Sequence, residues 1–140
     1  GAARGVILPL LAEMPAELAI ANRTVLKAQE LVAQFAHPAL RASRFEDLSG
    51  AFDIVINATS ASLSAELPPV PATAFSSASF AYDMMYGAQP TVFMQLAAMQ
   101  GARVRDGLGM LVEQAAESFF VWRGVRPDTA PVYQWLREQL

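Results

Sequence analysis

The chain has 140 residues, of which 54% are hydrophobic and 16% charged, and its net charge is −3. That length and apolar content suit a single domain with a sizeable core, and the negative balance argues against a nucleic-acid partner. The chain has no cysteine, which excludes disulfides and thiolate sites and fits a cytoplasmic protein. No stretch resembles a transmembrane helix or a signal peptide, so we expect no membrane partner. The small share of charged residues hints that something else covers part of the surface.

Helical and strand patterns alternate along the chain. The segments predicted as helices are residues 3–14, 24–36, 91–100, 108–122 and 131–140. The segments predicted as strands are residues 18–22, 39–43, 53–58, 79–84 and 102–105. Strand 53–58 is the clearest of these, and its apolar run is typical of a parallel strand covered on both faces.

Residues that commonly begin, kink or end helices support these boundaries. Pro9 should kink the first helix, Thr24 suits the N-cap of the second, and Gly101 should end the third. Residues 45–48 predict a helical turn, and residues 60–73, rich in Ser and Pro, predict a loop. Strands that alternate with helices in this way predict an open parallel α/β sheet with right-handed crossovers.

Ligands bind such sheets at the carboxyl ends of the strands. The candidate binding segments are therefore those that follow predicted strands: Asn22-Arg23-Thr24, Thr59-Ser60-Ala61, Met84-Met85-Tyr86 and Asp106-Gly107-Leu108-Gly109. Gly1-Ala2 would join them if a strand precedes it, because a glycine turn at a helix start offers backbone N–H groups to a pyrophosphate. The alternative is that Gly1 is only a cloning boundary.

The turn after strand 18–22 has the residues of a phosphate clamp. In dinucleotide-binding folds this position usually carries Asp or Glu, which accepts hydrogen bonds from ribose hydroxyls and repels a 2′-phosphate. Asn22 removes that repulsion, and Arg23 offers a planar donor fork suited to phosphate oxygens. Lys27 adds a charge one helical turn further on, and Thr24 adds a hydroxyl. The group predicts selection of NADP over NAD; the alternative is a solvated helix start with ordinary surface cations.

Five segments of the chain resemble the shikimate dehydrogenases: GAARGVILPLL, ANRTVLKAQEL, FDIVINATS, YDMMYG and DGLGMLVEQAA. They occur in the family's order and cover nearly the whole chain, and the last two are the most specific. Enzymes of this family have an N-terminal domain that binds shikimate and carries a catalytic Lys–Asp pair, and a C-terminal domain that binds NADP(H). The resemblance implies that residues 1–140 are that C-terminal domain, truncated at its start. The reaction implied is reversible hydride transfer between NADPH and 3-dehydroshikimate, in chorismate and aromatic amino-acid biosynthesis.

The resemblance also implies roles for single residues. Those implied to bind the cofactor are Gly1 and Ala2 in the phosphate loop, Asn22, Arg23, Thr24 and Lys27 in the 2′-phosphate clamp, Asn57, Thr59 and Ser60 in the turn beside it, and Met84 and Gly107 near the nicotinamide. Tyr86 and Gln114 match the two residues that this domain lends to the shikimate pocket. Core packing is the alternative for Met84, and an exposed surface amide is the alternative for Gln114. Residues 61–65 lack the glycines that the family commonly has there, so that loop should follow another path.

The implied fold is a Rossmann-like, doubly wound parallel sheet with helices on both faces, and the chain would begin within its phosphate loop. The strand before that loop would then be absent from this sequence. In the doubly wound order that strand lies between strands 18–22 and 53–58. We therefore expect these two strands not to pair with each other.

No catalytic residue is expected within these 140 residues. His37 is the single histidine and should be exposed and structural, and no cluster has metal-ligand spacing. The isolated chain should therefore be inactive, with the N-terminal catalytic domain and shikimate or 3-dehydroshikimate as its partners; a homodimer is left open. Two alternatives remain: half of a quinate/shikimate dehydrogenase that prefers NAD, and a non-catalytic nucleotide-binding module.

Overall fold

The computed structural model describes residues 2–59 and 68–140. Its helices in this part of the chain are α1 (Ala2–Ala12), α2 (Val25–Phe35), α3 (Val92–Met99), α4 (Leu108–Arg123) and α5 (Ala130–Gln139). Its strands there are β1 (Leu18–Ala21), β2 (Leu40–Ser43), β3 (Ile54–Asn57), β4 (Phe80–Asp83) and β5 (Arg103–Arg105). Every predicted helix and strand is present, with each boundary within two residues of the prediction.

The predicted loop lies largely outside the described residues, which resume at residue 68. The part that is described contains a short 3-10 helix, Ala72–Ala74. The turn predicted at residues 45–48 is present, because the Leu48 amide donates to the Phe45 carbonyl at 3.2 Å.

The chain divides into two compact units, and the first holds α1, β1, α2 and β2. Its two strands are parallel, with Leu18 opposite Leu40 and Ala21 opposite Ser43. Apolar side chains of the helices pack against this sheet. Ile7 and Leu11 of α1 form a buried cluster with Leu40 of β2. This arrangement fixes the turn that leads from β1 into α2.

The second unit holds β3, β4, α3, β5, α4 and α5. Its strands form a parallel sheet in the order β3-β4-β5, and its core includes the fully buried Ala81, Phe93 and Ala97. Because all three strands run the same way, their carboxyl ends lie at one edge of this sheet.

The expectation that strand 53–58 is covered on both faces is wrong at one end. Ile54 is 55% exposed, although Asn57 at the other end of β3 is buried. Among the described strands β3 has one neighbour, β4, so it is an edge strand of this sheet. Burial increases along β3 from the exposed Ile54 to the buried Asn57, so the elements that pack on the faces of this sheet cover the end of the strand and not its start.

Strands β1 and β3 lie in different sheets. The prediction that residues 18–22 and 53–58 do not pair is therefore confirmed for the described residues. Each of these two strands has a single neighbouring strand there: β2 for β1 and β4 for β3.

Candidate functional site

The turn between β1 and α2 is built around the side chain of Asn22. Its Oδ1 accepts a hydrogen bond from the Thr24 amide at 2.9 Å, which closes a compact turn of the kind that Asn favours. Thr24 then occupies the N-cap position of α2, as predicted, but its side chain makes no capping hydrogen bond. The Thr24 residue is exposed.

The charge at this turn is positive. Arg23 and Lys27 are both exposed, and the first turn of α2 carries no acidic residue. The start of a helix also bears a partial positive charge from its backbone N–H groups. Two cations, a helix start and the absence of a carboxylate from that first turn together make this segment suited to an anionic group.

In the second unit, Asn57 organises the turn that follows β3. The Asn57 Oδ1 accepts hydrogen bonds from the Thr59 amide at 3.1 Å and the Thr59 hydroxyl at 2.7 Å. The Asn57 Nδ2 donates to Oδ2 of Asp83 at 3.2 Å. Asn57 and Asp83 are also register partners at the ends of β3 and β4. Ser60, predicted to follow in this turn, lies outside the described residues.

Asp83 is a site feature that sequence reasoning missed. It is 0% exposed, and a buried carboxylate must find hydrogen-bond donors. Its Oδ1 accepts from the Met85 amide at 3.0 Å, and its Oδ2 accepts from the Thr91 hydroxyl at 2.6 Å as well as from Asn57. Asp83 thus ties the end of β3, the loop after β4 and the start of α3 together. The signal that could have indicated it is an acidic residue at the end of an otherwise apolar strand.

Gly107 lies against the loop that follows β4. A β carbon at this position would lie 2.1 Å from the carbonyl oxygen of Met84, a distance that no side chain tolerates. The Gly107 amide donates to the Met85 carbonyl at 2.9 Å. In turn the Met84 amide donates to the Asn57 carbonyl at 3.0 Å. The ends of β3, β4 and β5 are therefore joined by short backbone contacts.

The remaining predicted site residues are less closely connected. Met84 is buried, with 8% of its surface exposed, whereas Tyr86 is 41% exposed. Gln114 is an exposed residue on α4. In the first unit Ala2 is the first residue of α1, and Gly1 lies outside the described residues.

A second buried carboxylate is Asp106, which the sequence placed in a candidate binding segment without indicating its burial or its partner. It is 8% exposed, accepts a hydrogen bond from the Leu108 amide at 3.3 Å and pairs with Arg137 of α5 at 2.6 Å. This hydrogen bond raises the pKa of the Arg137 guanidinium above its usual value. Burial, as the largest cause, raises the pKa of nearby Tyr82, to which the charge of Asp106 adds. Nothing in the sequence linked Asp106 to Arg137, which lies 31 residues away.

Other kinds of site are not seen in this part of the chain. Across residues 2–59 and 68–140, no group of three or more His, Cys, Asp or Glu side chains could hold a metal ion. Nor does any helix in these ranges have the length and apolar character needed to cross a membrane.

Parallel strands alternating with helices, with polar side chains at the strand ends, define a Rossmann-like α/β protein. The model of the shikimate / quinate 5-dehydrogenase family matches residues 1–66, and the model of the shikimate 5'-dehydrogenase C-terminal domain matches residues 107–137. The chain belongs to the shikimate dehydrogenase family.

Individual relatives agree with this assignment. Shikimate dehydrogenase (NADP(+)) of Herminiimonas arsenicoxydans is 64% identical over 141 residues, covering 100% of this chain and 52% of that protein. The crystal structure of an Ael1 enzyme from Pseudomonas putida matches 96% of this chain and 50% of its own with a TM-score of 0.90 and 53% identity. Shikimate 5-dehydrogenase from Thermus thermophilus, in complex with NADP(H) and shikimate, matches 93% of this chain and 49% of its own with a TM-score of 0.77 and 31% identity. The chain spans about half the length of the curated relatives it matches.

Proposed function

We propose that the full-length protein containing this chain is an NADP-dependent shikimate dehydrogenase of the cytoplasm. It reversibly reduces 3-dehydroshikimate to shikimate with NADPH, and this chain is its C-terminal, NADP-binding domain. The observation that carries the proposal is the β1–α2 turn of a shikimate dehydrogenase family member, with Arg23 and Lys27 exposed and no acid in the first turn of α2. This donor set fits a 2′-phosphate, which a carboxylate at the same place would repel.

The first unit holds the adenosine end of the cofactor. Arg23 and Lys27 bind the 2′-phosphate, because a guanidinium fork and an ammonium group both donate to phosphate oxygens. The Asn22 side chain holds the turn through the Thr24 amide, which leaves the Thr24 hydroxyl as a further donor. Ala2, the first residue of α1, offers its backbone N–H group to the pyrophosphate. We assign Gly1, which lies outside the described residues, to the same phosphate loop.

The second unit holds the reacting end. NADPH supplies the hydride when it is bound, and the residues of this chain position it and the substrate. Gly107 and Met84 form the surface against the nicotinamide, and the absence of a β carbon at Gly107 allows its turn to lie directly against the Met84 backbone. Asn57 and Thr59, in the turn after β3, lie beside the cofactor. We assign Ser60, which lies outside the described residues, to the same group.

Tyr86 and Gln114 are the residues of this chain that bind the substrate. A phenol and an amide both donate and accept hydrogen bonds, which suits a hydroxylated ring. We assign the proton transfer to a Lys–Asp pair in the other half of the full-length protein, and no catalytic residue to this chain.

Steady-state kinetics of the full-length protein test this proposal. Shikimate with NADP should be turned over much faster than quinate or than any reaction with NAD. Preference for NAD and quinate would instead favour a quinate dehydrogenase half, and no turnover in any combination would favour a non-catalytic nucleotide-binding module. Turnover of shikimate by residues 1–140 alone would contradict the assignment of the acid–base pair to the other half.

A further inference from the structure

Helix α5 contacts the rest of the second unit through a charged side chain that reaches two loops. None of the residues of α5 is buried. Arg137 Nη2 nevertheless lies 2.6 Å from Oδ1 of Asp106, and its Nη1 lies 3.4 Å from the carbonyl oxygen of Gly87. The guanidinium also lies over the ring of Tyr133, 5.6 Å from its centroid.

The two groups that Arg137 contacts belong to the loops with proposed nicotinamide and substrate residues. Asp106 directly precedes Gly107, and it also accepts a hydrogen bond from Leu108 at the start of α4. Gly87 directly follows Tyr86 in the loop after β4. One planar fork therefore connects α5 to both loops at once, a geometry that a guanidinium provides and an ammonium group does not.

We infer that Arg137 is a positioning residue, which fixes the Gly107 turn relative to the Tyr86 loop and so aligns the cofactor with the substrate. This inference rests on the proposed function. The Asp106 side chain is only 9% exposed, so the pair differs from a solvated surface ion pair, which usually contributes little. A small misplacement of two reactants costs a large factor in rate even where binding persists.

The test is the Arg137→Met substitution in the full-length protein, with Arg126→Met as the matched control. Arg126 also pairs with a carboxylate, that of Glu117, and lies 5.0 Å from the ring centroid of Phe120. Its partner, however, is an exposed residue on α4. We expect Arg137→Met to lower kcat roughly tenfold to a hundredfold, with less than about a threefold change in KM for NADPH, because Arg23 and Lys27 are unaltered. Arg126→Met should keep kcat within about twofold.

Two further variants keep the test decisive if Arg137→Met does not fold. Asp106→Asn keeps an oxygen that accepts from the Leu108 amide but removes the charge that Arg137 pairs with. Arg137→Lys keeps the charge but loses the fork to Gly87. Both should lower kcat per folded molecule by several-fold, with the folded fraction measured by circular dichroism and NADPH binding.

Three results would distinguish a failure of this inference from a failure of the proposed function. If Arg137→Met and Arg126→Met have the same kcat per folded molecule, Arg137 is not a positioning residue. Unchanged kcat in both Asp106→Asn and Arg137→Lys would overturn the inference in the same way. If the unaltered protein turns over none of the substrates, the proposed function itself is wrong, and the inference falls with it.

Discussion

The buried carboxylate of Asp83 accepts hydrogen bonds from Asn57, Met85 and Thr91. Asp83→Asn replaces one accepting oxygen with an NH2 group that must face donors. We expect this exchange to lower the free energy of unfolding by about 1–3 kcal/mol, the usual effect of a buried polar group without a partner. Urea denaturation of the full-length protein measures it.

The control for this prediction is Asp128→Asn. The Asp128 Oδ1 accepts a hydrogen bond from the Ala130 amide at 3.1 Å, and the residue is exposed. An asparagine there can still accept that bond, so the free energy of unfolding should change by less than about 0.5 kcal/mol. Equal effects of the two substitutions would show that the three hydrogen bonds accepted by Asp83 do not contribute to the free energy of unfolding.

The guanidinium of Arg23 sets the proposed preference for NADP(H). Arg23→Ala should weaken NADP(H) binding to the full-length protein by about 1.5–3 kcal/mol, the scale of a charge-assisted hydrogen bond. Binding of NAD(H), which lacks the 2′-phosphate, should barely change. Isothermal titration calorimetry with both cofactors measures the difference.

Arg41→Ala is the matched control in the same unit, since the Arg41 side chain pairs with Glu17 at 2.8 Å. It should leave the ratio of the two affinities unaltered. If Arg23→Ala weakens NADP(H) and NAD(H) equally, the clamp assignment is wrong and Arg23 is an ordinary surface cation.

Three of the described helices, α2, α3 and α5, have a threonine at the N-cap, and the caps of α2 and α3 differ. The Thr91 hydroxyl at the start of α3 accepts from the Met94 amide at 3.2 Å and donates to Asp83, whereas the Thr24 side chain at the start of α2 makes no capping hydrogen bond. Thr91→Ala should therefore lower the free energy of unfolding by about 1–2 kcal/mol. Thr24→Ala should lower it by less than about 0.5 kcal/mol. Urea denaturation without cofactor compares them, and the reverse order would contradict the cap assignments.

At the level of elements, the sequence predicted helices and strands well because their signals are local. Alternation of apolar residues, Gly101 after α3 and the apolar run of β3 are each visible within a few positions. The exposure of Ile54 was not visible, because it depends on which elements pack on the faces of β3.

The side-chain network was hidden for the same reason. Asn57 and Asp83 become neighbours only through the register between β3 and β4. Asp106 and Arg137 meet only when α5 lies against the β5–α4 turn. Sequence reasoning therefore identified the turns of the candidate site, including Asn57, but not the hydrogen bonds by which the buried carboxylates of Asp83 and Asp106 hold those turns in place.

For the whole molecule, the distribution of exposed apolar side chains is uneven. More than half of the large exposed hydrophobic residues in the described part of the chain lie between residues 119 and 140. Trp122 is 77% exposed and Trp135 is 59% exposed. A segment with this many exposed apolar side chains is typical of a surface that a partner covers. The curated relatives are about twice as long as this chain, so we propose that the other half of the full-length protein covers these side chains.

Hydroxyl-radical footprinting of the full-length protein tests this proposal. Trp122 and Trp135 should be protected, because the radical reaches only side chains in contact with water. Met14 and Met99, which are 88% and 81% exposed and lie outside residues 119–140, should be oxidised at the rate of solvated methionine. Free reaction of both tryptophans would show that the covering surface is absent.

The close approach at Gly107 has a consequence for how this lineage can vary. Every other amino acid carries a β carbon, and here that atom would lie 2.1 Å from the Met84 carbonyl oxygen. The obstacle is backbone, so no exchange of a neighbouring side chain can make room for it. Proteins that keep this backbone geometry cannot tolerate a single substitution at position 107. The residue there can change only together with an insertion or deletion that moves the end of β4. In a saturation library of the full-length protein screened for folded variants, glycine should be the sole residue recovered there, while position 109, where a β carbon would lie 3.9 Å from the Tyr133 ring, should accept alanine.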